Sequence, residues 1–160
     1  MKVLVAYYSK TGNTKKLAEE IGKGVKEAGV DCVIKLVSDV TKEDLISSQG
    51  IIIGSPVYFG SMAAEVKKMI DNFVGMRKKM EGKIGAAFTT SGDESGGKET
   101  TIMSILQAML IYGMIIVGDP LDATGHYGTS CVGSPDKETM INAVKLGKRV
   151  ALLVKKTSNS

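Results

Sequence analysis

Hydrophobic positions in this chain gather into short runs separated by stretches of helical period. Val3 to Tyr8, Gly50 to Gly54 and Lys83 to Thr90 are almost unbroken apolar or small runs, Cys32 to Val37 alternates, and Met114 to Val117 closes the set. Runs too apolar to have a wet face read as strands buried on both sides. Between them, Thr14 to Ala28, Ala63 to Phe73, about Glu99 to Ile111, and the stretch opened by Pro135 and Asp136 and ending near Val154 carry the 3.6-residue period. In the second of these, Val66, Met69, Ile70 and Phe73 share one face and Lys67 and Lys68 lie off it. Thr41 to Leu45 reads as a short helix, with Thr41 as N-cap and Asp44 at the capping-box position. Gly29 and Gly113 close helices, Asp119 to Ser134 reads as a long loop, and the tail from Lys155 to Ser160 is expected to fray.

Strands alternating with helices over the whole length predict a parallel sheet covered on both faces. Five strands with five helical segments fit an α/β three-layer sandwich of the flavodoxin-like, doubly wound kind, with strand order 2-1-3-4-5, and a single domain spanning 1–160. Such sheets bind ligands beyond the carboxyl ends of their strands, where the strand order reverses. Here that point lies between strands one and three, so the loops after strands one, three and four are expected to line the site.

The loop after the first strand runs Ser9-Lys10-Thr11-Gly12-Asn13-Thr14 into a helix. Hydroxyls, an amide and a glycine at a helix N-terminus can aim several donors at one anion, which reads as a phosphate cradle. An ordinary N-capped strand-to-helix turn uses the same residue types. The loop after the third strand, Ser55 to Met62, carries Pro56, Val57, Tyr58, Phe59 and Gly60. Two adjacent aromatics at a sheet mouth suit a flat heteroaromatic ligand, or else they cover the end of the core. The loop after the fourth strand carries Thr90, Ser91, Gly92, Asp93 and Gly96. Its hydroxyl and backbone groups can match the edge of a pyrimidine-like ring, or it is a solvated loop.

The totals narrow the classes. At 160 residues the chain can bury a core unaided, and none of its apolar runs approaches the ~20 residues of a membrane span. Met1-Lys2 leads straight into the first strand, leaving no room for a signal peptide, so a cytoplasmic location and no membrane insertion are expected. Cys32 and Cys131 lie far apart and read as reduced, structural thiols; His126 is the one histidine, and no metal site is expected. The net charge of +4 gathers in stretches such as Arg77-Lys78-Lys79 and Lys155-Lys156, without interleaved aromatics, which reads as solvated surface rather than a nucleic-acid interface.

The loop S-K-T-G-N-T resembles the FMN phosphate loop of flavodoxins, S/T-x-T-G-x-T. The stretches G-S-P-V-Y-F-G-S-M, F-T-T-S-G and Y-G-M-I-I-V-G resemble WrbA-type NAD(P)H:quinone oxidoreductases, a branch of the same superfamily. The resemblance implies FMN as cofactor, with Ser9, Lys10, Thr11, Gly12, Asn13 and Thr14 on its phosphate. Pro56, Val57, Tyr58, Phe59 and Gly60 would border the ring, and Thr90, Ser91, Gly92, Asp93 and Gly96 would line its pyrimidine side and the ribityl chain. Tyr112 stands where the WrbA type has a histidine that meets the flavin, and Met76 falls near that family's quinone-pocket aromatic. The segment Val37 to Gly50 is shorter than the corresponding WrbA-type insertion, so a homo-oligomer is possible without being assumed.

The activity implied is two-electron transfer from NAD(P)H through FMN to a quinone or similar small acceptor, with the cofactor carrying the chemistry. No acid–base residue is required, and His126 and Tyr127 are the candidates for the substrate side, although His126 also reads as a solvent-facing loop residue. The alternative is a flavodoxin-type carrier that shuttles single electrons between redox protein partners. A flavin-free domain that merely kept the fold is a third class, against which the intact hydroxyl-rich loop argues.

Overall fold

The computed structural model describes residues 1–158. Strands β1 (Lys2–Tyr7), β2 (Asp31–Leu36), β3 (Gly50–Tyr58), β4 (Ser61–Met62), β5 (Ile84–Ser91), β6 (Ile115–Ile116) and β7 (Thr129–Val132) form one sheet. Helices α1 (Asn13–Glu27), α2 (Lys42–Ser47), α3 (Ala64–Asn72), α4 (Arg77–Met80), α5 (Lys98–Ile111) and α6 (Lys137–Ser158) connect and cover it. The sheet runs β2-β1-β3-β5-β6, with those neighbours parallel, while β4 folds back antiparallel on the end of β3.

The expected five-position order is present, with a correction at the last position. Ile115 and Ile116 pair with Ile84 and Gly85, the chain then leaves the sheet, and Thr129–Val132 returns to pair with Phe88–Ser91. The edge strand is therefore interrupted, and the stretch 119–134 expected as loop contains β7. Its four residues were too few to stand out by alternation. α4 was also missed, and α6 continues through Lys155–Ser158 where fraying was expected; the last two residues of that tail lie outside the described residues.

Alternation along the strands builds two cores. Val3, Val5 and Tyr7 face Leu17, Ile21, Leu146 and Val150 of α1 and α6, while Leu4 and Ala6 face the α3 and α5 side with Val66, Met69, Ile105 and Met109. No helix among the described residues is long and apolar enough to cross a membrane. Thr41 caps α2 as the sequence predicts: Asp44 N donates to the Thr41 hydroxyl at 3.2 Å and Thr41 N to the Asp44 carboxylate at 2.8 Å. Burial alone would raise Asp44, but Lys35 and both Thr41 donors outweigh it and hold the carboxyl at about 2.

α1 and α6 meet backbone to backbone. A Cβ on Gly24 would lie 2.0 Å from the Val144 carbonyl oxygen, and one on Gly147 would lie 2.0 Å from that of Ile21. In an exposed helix, alanine is favoured over glycine by about 1 kcal/mol. Here the contact reverses the sign, because a methyl must force two packed helices apart. Gly147→Ala is expected to lower stability by about 1–3 kcal/mol in urea titration; an unchanged or higher midpoint would show that the two helices separate at no cost.

Candidate functional site

β1, β3 and β5 end side by side, and their loops open on the same edge of the sheet. After β1, Tyr8 N still donates to Gly54 O at 3.1 Å; the chain then leaves the sheet and turns into α1 through Gly12. Gly12 has φ 94°, a left-handed conformation open to glycine at little cost, and its N–H donates to Ser9 Oγ at 3.1 Å. Lys10 and Thr11 are exposed, Asn13 is half-buried, and open space lies in front of Gly12.

Among the helices longer than a single turn, the start of α1 is chemically unlike the others; the one-turn α4 also lacks a side-chain cap and an acidic residue. α2 and α6 are capped by side chains, Thr41 in one and Asp136 in the other, the latter accepting from Thr139 N at 2.8 Å. α3 and α5 lack side-chain caps but carry Glu65 and Glu99 in their first turns. α1 has neither a side-chain cap nor an acidic residue in its first turn. Its free N–H groups and dipole therefore face the open end of the sheet with no internal anion, which is what a bound phosphate requires.

The loop after the third strand is shorter than expected. Ser55 and Pro56 continue β3 in parallel register with Thr89 and Thr90, and Val57 and Tyr58 pair with Met62 and Ser61. Only Phe59 and Gly60 remain as the turn, with φ 49° and 75°. Two consecutive positive φ values mark the tight hairpin turn that favours Asn-Gly. Phe59 is a bulky residue in that strained region, and its ring is fully exposed. Beside it, Tyr58 and Tyr8 meet edge to face at 6.3 Å, and the Glu65 carboxylate, by hydrogen bonding to the Tyr8 phenol, pushes that phenol's pKa up.

The loop after β5 is ordered by its own side chain. Ser91 Oγ donates to Asp93 O at 2.7 Å and accepts from Asp93 N at 3.2 Å. Gly92 and Asp93 are exposed, and a Cβ on Gly96 would meet Ser91 Oγ at 2.3 Å. Two contacts tie the three loops together. The Thr14 and Thr90 hydroxyls, both buried, pair at 2.9 Å, and Thr100 Oγ1 donates to Gly60 O at 2.6 Å where Gly97 packs against Gly60. The structure thus brings together Ser9 to Thr14, Pro56 to Gly60, and Thr90 to Asp93 with Gly96.

Tyr112 does not join them. It is the C-cap of α5, a helix that starts beside the site and carries it about 20 Å away. There its hydroxyl donates to Ile70 O at 2.5 Å, and burial, aided by the Asp71 charge, pushes its pKa up. Arg77 is at the same distant end, bonded to Ile111 O at 2.6 Å, and Met76 precedes it. His126 and Tyr127 are exposed residues of the excursion between β6 and β7, whose Gly128 lies against Ala87 O in the middle of β5, not at the strand ends. The loop that does follow the edge strand, 133–136, escaped the sequence reading. Gly133 N donates to Ser91 O at 2.8 Å, and Lys16 Nζ reaches Ser134 Oγ at 3.1 Å. The signal was T-S-C-V followed by G-S-P-D, a second strand, turn and cap.

Comparison with known proteins decides the family. Residues 39–128 match the family model described as NADPH-dependent FMN reductase. The chain belongs to that family. It is 34% identical over 187 residues to an NAD(P)H dehydrogenase (quinone) of Archaeoglobus fulgidus, covering 97% of this chain and 98% of that one. It is 37% identical over 158 residues to a flavodoxin of Aquifex aeolicus, covering 94% of this chain and 85% of that one. The crystal structure of a flavodoxin, WrbA-like protein from Agrobacterium tumefaciens superposes with a TM-score of 0.85 at 20% identity, over 97% of this chain and 98% of that chain, which shows the shared fold. The family match contains the aromatic turn and the Ser91 loop, and the α1 cradle lies before it.

Phe59 buries nothing and strains its backbone, so it works against the stability of the free chain. Phe59→Asn, which makes the turn Asn-Gly, is expected to stabilise the protein without ligand by about 0.5–1 kcal/mol in urea and to weaken binding of any planar ligand. A loss of stability would show that Phe59 packs against the chain.

Proposed function

We propose that this family member binds FMN between these three loops and catalyses two-electron transfer from NAD(P)H to a quinone or another small acceptor. The observation that carries the reading is the start of α1, which has no cap and no acid of its own yet faces the aromatic turn and the Ser91 loop. A phosphate fits there, because the N–H groups and the Thr14 hydroxyl can donate to it and the positive end of the helix dipole attracts an anion. A flat ring fits beside it, because Phe59 and Tyr58 offer aromatic surface on one side and the backbone of Gly92 and Asp93 is exposed on the other. The relatives named for quinone reduction and for FMN reduction support the same assignment.

When bound, FMN supplies hydride acceptance and release. The chain's residues bind and orient it. Ser9, Thr11, Asn13 and Thr14 hold the phosphate, and Lys10 lends positive charge beside it. Thr90 fixes the Thr14 hydroxyl, so the cradle and the ring pocket stay in register. Pro56 and Val57, held by pairing in β3, keep the aromatic turn rigid. The exposed Phe59 edge leaves room for a nicotinamide and then an acceptor to approach in turn. In this reading the chain is one working domain in the cytoplasm, where free Cys32 and Cys131 remain thiols; burial pushes both up to about 11 and keeps them unreactive.

The flavodoxin of Aquifex aeolicus favours one rival reading, a carrier of single electrons. Steady-state oxidation of NADPH and NADH with a panel of quinones separates the two: quinone-dependent turnover is expected, and FMN binding without turnover would give the site to a carrier. Thr14→Ala is expected to weaken FMN binding by about 1–3 kcal/mol in fluorescence titration and to lower turnover at limiting FMN. Unchanged affinity would contradict the assignment of this loop to phosphate.

A further inference from the structure

Away from the flavin loops, α6 carries a second surface that the activity does not use. Between α6 and the first turn of the excursion after β6 lies an open groove of about 460 Å³. Four cations line it, Lys145, Lys148, Arg149 and Lys156; Lys145 pairs with Asp122, and Lys148 with Glu27 of α1 at 2.7 Å, which leaves the face net positive, and its floor is apolar, with Leu152 more than half exposed. Lys145 fastens the excursion to the helix, donating to Asp122 O at 2.6 Å and reaching Asp122 Oδ2 at 2.9 Å. Asn142 Nδ2 adds a bond to Thr124 Oγ1 at 3.0 Å. Leu121, held at the rim by these contacts, projects its entire side chain into solvent.

We propose that this face attaches the protein to an anionic membrane surface, with Leu121 and Leu152 entering the boundary between headgroups and acyl chains and the α6 cations resting on lipid phosphates. Two features select lipid over an acidic protein. A leucine standing alone on a loop tip needs a socket in a rigid partner, whereas a fluid layer opens around it. The charges also form a band along one helix beside the apolar side chains, the arrangement in which electrostatic attraction and shallow apolar insertion add. The attachment is peripheral and spans nothing. It does not rest on the flavin assignment, although an apolar quinone would be concentrated in the layer the face touches.

The test is sedimentation of the full chain, saturated with FMN and separately without it, with vesicles of phosphatidylcholine alone or mixed with phosphatidylglycerol. Binding is expected only to the mixed vesicles, in both forms of the protein, and it should fall as salt rises from about 50 to 300 mM. Leu121→Ser is expected to weaken it about tenfold. Lys148→Gln is expected to weaken it about fivefold. Both side chains sit at the surface, and melting curves should confirm that the variants fold. No binding to the mixed vesicles at low salt, equal binding to neutral vesicles, or full binding by Leu121→Ser would each overturn the proposal. So would retention on immobilised polyglutamate without vesicle binding, which would give the face to an acidic protein.

Discussion

An unsatisfied helix start governs this structure. Every α-helix leaves its first N–H groups without internal partners, and the other helices here longer than a single turn answer with Thr41, Asp136 or an early glutamate. α1 answers with nothing from its own chain. Its donors converge where the strand order reverses, so the electrostatics of one turn and the topology of the sheet select the same place. Gly12 makes this possible, because its left-handed backbone brings the chain from strand to helix without placing a side chain before the donors.

Holding that turn still requires the rest of the domain. α1 is fixed along its length by the glycine contacts with α6 and by Leu17 and Ile21 in the core beneath. Its first turn is fixed by the Thr14–Thr90 hydroxyl pair, and Thr90 in turn is fixed by pairing with Pro56 and Cys131 on either side of β5. The aromatic turn belongs to the same assembly, since β3 carries it rigidly past the edge of the core. Phe59 shows the direction of the compromise: backbone strain and an exposed ring are tolerated where a flat partner would cover them.

Much of this was legible in the residues, for reasons that also explain what was not. Buried parallel strands read as near-continuous apolar runs, so β1 and the start of β3 were plain, as was the capping box at Thr41 and Asp44. Polar and aromatic loops at predictable strand ends pointed to the candidate site as a group, and the fold brings those loops together. By its local pattern β3 stops at Gly54, because Ser55-Pro56 looks like a turn; in the fold those residues find strand partners in Thr89 and Thr90, which no local pattern announces. The interruption of the edge strand moved His126 and Tyr127 off the strand ends and concealed the 133–136 loop. Tyr112 was placed by resemblance alone, and its position at the far end of α5 follows from helix length.

The most direct test of the central claim compares FMN with riboflavin, which has the same ring and ribityl chain without the phosphate, by fluorescence titration or calorimetry. If α1 is built around a missing anion, FMN should bind at least about a hundredfold more tightly, since several charge-assisted hydrogen bonds depend on the phosphate. Equal affinity for the two would contradict the account, leaving the α1 turn a structural connection and the recognition to the aromatic loop.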